Sequence, residues 1–226
     1  MNQSTQNTAI SDIQAVIFDM DGLLFDTEAL YVKVWVVVGE KLGLPITEEV
    51  ARANAGHTGQ ALVNHFQSHY GPGFTLEAAR PIIYEWMTDR VAEHGLPVKP
   101  GARELVESLH RLGIPMAVGS SNRADVVRAY LEEAGMLAYF PVMVAGDMVE
   151  RVKPAPDIFL RAARNLGVAP EHCLVFEDSP VGVEAAHAAG CVVVMVPDLH
   201  QPCEVTRGRC WKVIDSLKKA MIFFDA

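Results

Sequence analysis

Two aspartates one residue apart, Asp19 and Asp21, follow directly after the apolar run AVIF and are followed by Gly22. An apolar run of this kind predicts a buried strand. Three further polar groups follow or lie near later apolar runs: GSSN at 119–122, Lys153 in VKPAPDIF, and Glu177 with Asp178 in VFEDSPVG. In open α/β sheets ligands bind outside the carboxyl ends of the strands. The sequence therefore predicts that these acids and this lysine converge on one site.

The residue types in this set indicate phosphoryl chemistry assisted by a hard metal ion. A cluster of carboxylates is unfavourable unless positive charge neutralises it. Mg²⁺ is bound by one or two carboxylates together with water and substrate phosphate. One aspartate is then able to attack phosphorus as a nucleophile, and the second is able to act as general acid and base. The small donors Ser120, Ser121 and Asn122 lead into a predicted helix N-terminus, which suits a phosphate.

The elements that position these residues alternate between short apolar runs and longer helical patterns. QAVIFD, IPMAVGS, PVMVAGD, HCLVFED and CVVVMVP are predicted strands with helical text between them. The runs are continuously apolar, as expected for strands that helices cover on both faces. This pattern predicts an α/β fold with a doubly wound, Rossmann-like parallel sheet.

One segment, from residue 27 to residue 99, has apolar spacing near 3.6 and contains no convincing strand. It begins just after the aspartate pair and ends at the Pro/Gly-rich stretch PVKPG. We expect a small α-helical cap domain, inserted after the first strand, over the carboxylate end of that strand. The predicted core domain comprises residues 13–26 and 100–226, and residues 1–12 are predicted to be a flexible N-terminus.

Composition narrows the function further. The chain has 226 residues and a formal net charge of −9, so nucleic acid is a disfavoured partner. Its longest apolar stretches are shorter than the roughly 18 residues of a membrane span. The four cysteines form no CxxC pair, and the polar start has no signal-like apolar region. We expect a cytoplasmic monomer that acts on a small molecule.

The motifs DMDGLLFDTE, GSSN, KPAPDIF and VFEDSPVGVEAAHAAG occur in an order that resembles the haloacid dehalogenase superfamily. The helical insertion resembles its helical-cap subgroup, which includes beta-phosphoglucomutase and phosphatases of sugar phosphates and of pseudouridine 5'-phosphate. The resemblance implies that Asp19 forms an aspartyl-phosphate and that Asp21 is the acid/base. It also implies site roles for the remaining motif residues: Gly22 and Ser120 to Asn122 near the phosphate, Lys153 as the orienting charge, and Asp19, Asp21 (through its carbonyl), Glu177 and Asp178 at Mg²⁺.

Each motif also has an ordinary structural interpretation. The aspartates could cap a helix, and Asp178 with Ser179 could do the same. An EF-hand calcium loop needs glycine at its sixth position, whereas Gly22 is at the fourth. His65 and His69 have a zinc-like spacing but no third ligand in view, and we interpret them as packing residues. The joint order of the motifs favours the catalytic interpretation.

The expected function is a Mg²⁺-dependent phosphatase of a sugar phosphate or a nucleotide-like monoester. A hexose-phosphate mutase and a non-catalytic binding or regulatory protein are the alternatives. The mutase would need a cap residue that holds a second phosphate, and arginine suits this best. The corresponding stretch offers Gly56, His57 and Thr58, so we expect His57 to contact substrate and hydrolysis to be favoured.

Overall fold

The computed structural model describes residues 12–54 and 59–224. The predicted N-terminal segment, apart from residue 12, and the predicted substrate residue His57 lie outside these residues. Six parallel strands form one sheet in the order β3-β2-β1-β4-β5-β6. Their bounds are β1 Ala15–Phe18, β2 Met116–Gly119, β3 Val142–Val144, β4 Cys173–Glu177, β5 Val192–Met195 and β6 Lys212–Val213.

The strand order reverses next to β1. The chain runs outward from β1 to β2 and β3 on one side, and then returns to place β4 on the other side of β1. Phe18 pairs in register with Val118 on one neighbour and with Phe176 on the other. The carboxyl ends of β1 and β4 therefore flank a topological switch point, which is where ligands bind in folds of this class.

Helices cover the strands as the continuous apolar runs predict. Ile17 packs in a cluster with residues of the helices Asp157–Leu166 and Pro180–Ala188. Phe18, on the opposite face, stacks on Phe176 with 5.4 Å between ring centroids. Both residues are fully buried. The doubly wound parallel sheet predicted from the sequence is confirmed. The helices of this unit are α5 Ala102–Arg111, α6 Ala124–Glu133, α7 Asp157–Leu166, α8 Pro180–Ala188 and α9 Glu204–Arg209.

The chain divides into two compact units, residues 1–25 with 98–226, and residues 26–97. The second unit is helical throughout its described elements and has a core of its own. Trp35 and Phe74 both pack against Phe66, with centroid separations of 4.6 and 4.7 Å. The helices of this unit are α1 Glu28–Leu42, α2 Glu48–Ala53, α3 Gly59–Tyr70 and α4 Leu76–His94.

The two-residue strand β6 lies at the sheet edge. The apolar pattern did not predict it, because such a short strand gives no period. Within the described residues, no helix is both long enough and apolar enough to cross a membrane.

The four cysteines differ strongly in their expected reactivity. Burial raises the pKa of Cys173 to about 12 and that of Cys210 to about 11, and it also raises the pKa of Cys191. Cys203 is exposed, and a hydrogen bond with the Thr206 hydroxyl lowers the pKa of its thiol. Because the thiolate is the reactive form, Cys203 should react first.

We therefore expect the folded chain to show one rapid phase with a thiol reagent such as DTNB at mildly alkaline pH. All four thiols should react after denaturation. The Cys203→Ser variant should lose the rapid phase and keep the same fold by circular dichroism. A rapid phase that persists in this variant would contradict the assignment.

Candidate active site

Asp19 lies at the carboxyl end of β1, at the switch point. Its backbone N–H continues the sheet ladder by donating to the Phe176 carbonyl at 3.0 Å, and only 7% of the residue is exposed. Its carboxylate accepts a hydrogen bond from the Lys153 ammonium. The hydrogen bond between two adjacent strands therefore fixes the position of the Asp19 backbone, and the buried Lys153 ammonium orients its carboxylate.

Lys153 comes from the loop between β3 and α7 and is buried between two acids. Its Nζ donates to Asp19 Oδ1 and, at 2.7 Å, to Glu177 Oε1. Burial alone would lower the pKa of Lys153, but the two carboxylates outweigh burial and raise it. Lys153 is therefore a permanent cation that joins the ends of β1 and β4.

Glu177 is the last residue of β4 and is fully buried. Its Oε1 accepts from Lys153, and its Oε2 accepts from both the backbone N–H and the hydroxyl of Ser179 at 3.0 Å each. Ser179 in turn caps α8 by accepting from the Gly182 N–H at 3.1 Å. Glu177 thus links Lys153, through Oε1, to Ser179 at the start of α8, through Oε2.

The turn after β1 brings backbone close to Asp178. Leu24 N–H donates to the Met20 carbonyl at 3.0 Å, and Gly22 has a φ of +78°. A Cβ on Gly22 would lie 2.3 Å from Asp178 Oδ2. This position requires glycine for two reasons, because the φ is unfavourable for other residues and because the carboxylate occupies the side-chain space.

Asp21 lies beyond the end of β1, in this turn. Its Oδ2 accepts a hydrogen bond from Asn122 Nδ2 at 2.7 Å. Asn122 N–H in turn donates to the buried Ser120 hydroxyl at 3.1 Å. The GSSN segment and the aspartate pair therefore meet directly.

The helix that follows GSSN is less open to an anion than its sequence suggests. The first N–H of α6, that of Ala124, donates to Asp147 Oδ1 at 3.0 Å. Asp125 adds a second carboxylate in the first turn. The donors of this segment that remain near the site are those of residues 120–122.

The donor set fits a hard cation such as Mg²⁺. Carboxylate oxygens of Asp19, Glu177 and Asp178 lie within 4.8 Å of one another, and Lys153 is the cation bonded to two of them. Burial raises the pKa of Asp19 well above its usual value, although the Lys153 charge opposes this. The acids of the cluster outnumber its lysine, so a divalent cation with a preference for oxygen would compensate the excess negative charge.

The structure brings most of the predicted residues together. Asp19, Lys153, Glu177 and Asp178 form one cluster, and Asn122 links Asp21 to Ser120. His65 and His69 instead lie in the helical unit. Nε2 of His65 is hydrogen-bonded to the Val50 carbonyl, and Nδ1 of His69 is hydrogen-bonded to the His65 carbonyl. In the described part of the chain they belong to no metal-binding group.

Sequence reasoning missed two residues near this site, Lys99 and Asp198, which form an ion pair of 2.7 Å. The available signal was that Asp198 follows the carboxyl end of β5, as Asp178 follows that of β4. It also missed Gly182, which lies against the Glu177 carboxylate, because no sequence pattern predicts this contact.

Comparison with known proteins identifies relatives over most of the chain. A family model described as haloacid dehalogenase-like hydrolase matches residues 13–190. The Drosophila melanogaster protein named "Probable pseudouridine-5'-phosphatase" is 36% identical over 199 residues, which are 85% of each chain. A phosphorylated carbohydrates phosphatase of Thermotoga maritima is 37% identical over 178 residues, or 79% of this chain and 82% of the relative.

A solved structure agrees with this. CbbY from Rhodobacter sphaeroides, in complex with phosphate, superposes with a TM-score of 0.82 and 28% identity. The match covers 95% of this chain and all of the other. The family resemblance predicted from the motifs is confirmed.

We expect Gly182→Ala to destabilise the protein. An alanine in a helix is ordinarily more stable than glycine by about 0.5–1 kcal/mol. At Gly182, however, the Cβ would lie 1.7 Å from Glu177 Oε1, so the carboxylate must move away from Lys153. A loss of about 1–3 kcal/mol of unfolding free energy, measured by urea denaturation, is expected from such overpacking.

Gly208→Ala is the matched control. Gly208 also lies in a helix, α9, but its Cβ would meet no atom within 4 Å. This variant should be as stable as the parent chain or slightly more so. Equal stability changes in the two variants would show that the Glu177 carboxylate does not occupy this space.

Proposed function

The chain belongs to the haloacid dehalogenase-like hydrolase family, and on this premise we propose that it hydrolyses a small phosphorylated metabolite through an aspartyl-phosphate on Asp19, with Mg²⁺ as cofactor. The observation that carries the proposal is the pair of differently held aspartates. Asp19 is buried against the Lys153 cation, whereas Asp21 is hydrogen-bonded by the neutral amide of Asn122. Two carboxylates in different environments are suited to different roles.

In the first half of the proposed reaction, a carboxylate oxygen of Asp19 attacks phosphorus. The bond between phosphorus and the ester oxygen breaks, and Asp21 in its protonated form gives its proton to the leaving oxygen. Lys153 holds the Asp19 carboxylate in one orientation, which lowers the entropic cost of the attack. The Ser120 hydroxyl and the backbone N–H of Ser121 supply donors for the phosphoryl oxygens.

In the second half, a water molecule attacks the phosphorus of the aspartyl-phosphate. Asp21, now a carboxylate, takes the proton from this water, and the bond between phosphorus and Asp19 breaks. Inorganic phosphate is released, and both aspartates return to their starting protonation states. The hydrogen bond from Asn122 Nδ2 to Asp21 Oδ2 holds Asp21 in place during both halves.

Asp19 and Asp178, with the backbone carbonyl of Asp21, are the proposed Mg²⁺ ligands. Bound there, the ion would supply charge that offsets the repulsion between the nucleophile and the phosphate. Glu177 is proposed to position Lys153 rather than to bind the ion directly, because both of its oxygens already accept hydrogen bonds from the protein.

The proposed substrates are sugar phosphates and nucleotide-like monoesters. Support comes from the names of the two relatives, which specify a pseudouridine 5'-phosphate and phosphorylated carbohydrates. We assign residues 27–99 to a cap domain that selects among such substrates, and His57 to substrate contact. The separate aromatic core of residues 26–97 supports an independent unit.

The Asp19→Asn variant should lose turnover of p-nitrophenyl phosphate by about a thousandfold or more, since an amide is a poor nucleophile. Its fold should be retained, as judged by circular dichroism and thermal melting. The Asp215→Asn variant is the control, because Asp215 forms an exposed ion pair with Lys219 and loses the same charge on substitution. Near-parental turnover in folded Asp19→Asn would refute the nucleophile and exclude the proposed mechanism.

Water, rather than a second sugar hydroxyl, should discharge the phosphoenzyme. Phosphorus NMR should therefore show inorganic phosphate accumulating as a monoester disappears, with pseudouridine 5'-phosphate and hexose phosphates as the first substrates to try. β-Glucose 1-phosphate with a trace of the 1,6-bisphosphate is the comparison. Glucose 6-phosphate formed without free phosphate would establish the mutase instead, and no turnover of any monoester would favour a non-catalytic protein.

A further inference from the structure

Lys99 and Asp198 form a largely buried ion pair beside the site. Lys99 Nζ donates to Asp198 Oδ1 at 2.7 Å, and the side chains are only 19% and 16% exposed. Outside the Lys153 cluster, the described residues form two other lysine–carboxylate pairs, Lys41–Glu85 and Lys219–Asp215, and in both the side chains are half exposed or more. Burying an ion pair to this extent is unfavourable unless other interactions compensate, because removing charge from water is costly.

The second carboxylate oxygen of Asp198, Oδ2, lacks such a compensating interaction. Oδ2 is shielded from solvent and has no hydrogen-bond donor among the described residues. A buried acceptor without a donor costs about 1–3 kcal/mol, and it costs more when the acceptor is charged. The expected partner of this oxygen is therefore a molecule bound in the site.

The position of Asp198 Oδ2 indicates where that molecule would bind. The point where a Gly22 Cβ would stand lies 3.2 Å from Asp198 Oδ2 and 2.3 Å from Asp178 Oδ2. Two carboxylate oxygens thus face the same small space beside the Gly22 turn. Because Asp178 is a proposed metal ligand, Asp198 lies beside the metal end of the proposed site.

The backbone holds both members of the pair in place. Lys99 N–H donates to the Leu24 carbonyl at 2.9 Å, two residues after Gly22. Asp198 follows β5, where Val196 N–H donates to the Glu177 carbonyl at 2.7 Å, next to Asp178. The pair therefore connects the turn that carries Gly22 with the strand end that carries Asp178.

We propose that Asp198 is a positioning residue for the metal: its Oδ2 accepts a hydrogen bond from a water molecule on the bound Mg²⁺, and Lys99 fixes the carboxylate for this task. The inference rests on the proposed function, since it takes Asp178 as a metal ligand. Mg²⁺ ordinarily keeps several of its water molecules in protein sites, and such water is a strong donor to a carboxylate. Residues that hydrogen-bond to the ligands of a metal typically change its affinity by 10–100-fold.

The test measures metal binding without turnover. Mn²⁺ replaces Mg²⁺ as the probe because free and bound Mn²⁺ are distinguished by electron paramagnetic resonance. Asp198→Asn should bind Mn²⁺ about tenfold or more weakly than the parent chain. The control Asp215→Asn, which removes the same charge from an exposed pair of the same length, should bind Mn²⁺ normally.

Lys99 provides a second, independent variant. Lys99→Met should also weaken Mn²⁺ binding, and Lys99→Arg, which keeps the charge, should restore most of it. The double variant Lys99→Met/Asp198→Asn should be no weaker than Asp198→Asn alone, because Lys99 acts through Asp198. Should Asp198→Asn fail to fold, the comparison of Lys99→Met with Lys99→Arg decides the question.

The outcomes separate this inference from the proposed function. If the parent chain binds no Mn²⁺, or binds it equally well after Asp178→Ala, the metal site itself is wrong. If the parent chain binds Mn²⁺ through Asp178 and folded Asp198→Asn binds within twofold of it, only the role of Asp198 is refuted. Weaker binding in Asp198→Asn with unchanged binding in Asp215→Asn supports the positioning role.

Discussion

The buried ammonium of Lys153 between Asp19 and Glu177 is the interaction on which the site depends. Burial raises the pKa of Asp19 and so favours its neutral form, and the Lys153 charge opposes this effect. Removing Lys153 would leave uncompensated buried charge, and loss of a partner from a buried pair typically costs about 3–5 kcal/mol. The lysine therefore favours the charged form of the nucleophile and holds its carboxylate in one orientation.

Sheet topology explains why these charges meet. The reversal of strand order places β1 beside β4, so that Asp19 and Glu177 emerge from neighbouring strands although they are far apart in sequence. Lys153 comes from the loop that joins β3 to α7. The same arrangement places hydrogen-bonded backbone beneath the acids, since Asp19 N–H bonds to Phe176 and Val196 N–H bonds to Glu177. A rigid ladder thus supports a costly concentration of charge.

Close approach of backbone to carboxylates is the second constraint. Gly22 leaves room for Asp178, and Gly182 leaves room for Glu177. The reasons differ: Gly22 also needs its positive φ, whereas Gly182 lies in a helix and is needed only for space. Asp198 also approaches this turn closely, because its Oδ2 lies 3.2 Å from the point where a Gly22 Cβ would stand.

Sequence alone determined the parallel sheet and the helical character of the described residues between 28 and 94, because continuous apolar runs and a 3.6-residue period are local signals. It also selected the acids and the lysine that converge, since residues at strand ends share one edge of the sheet. It did not predict β6, which is too short to show a period, nor the bond from Asn122 to Asp21, which joins residues from separate strands. Only the tertiary structure decided that Glu177 braces Lys153 and that Asp198 faces the Gly22 turn. Both facts depend on ångström-scale distances between distant segments, which packing sets and residue type does not.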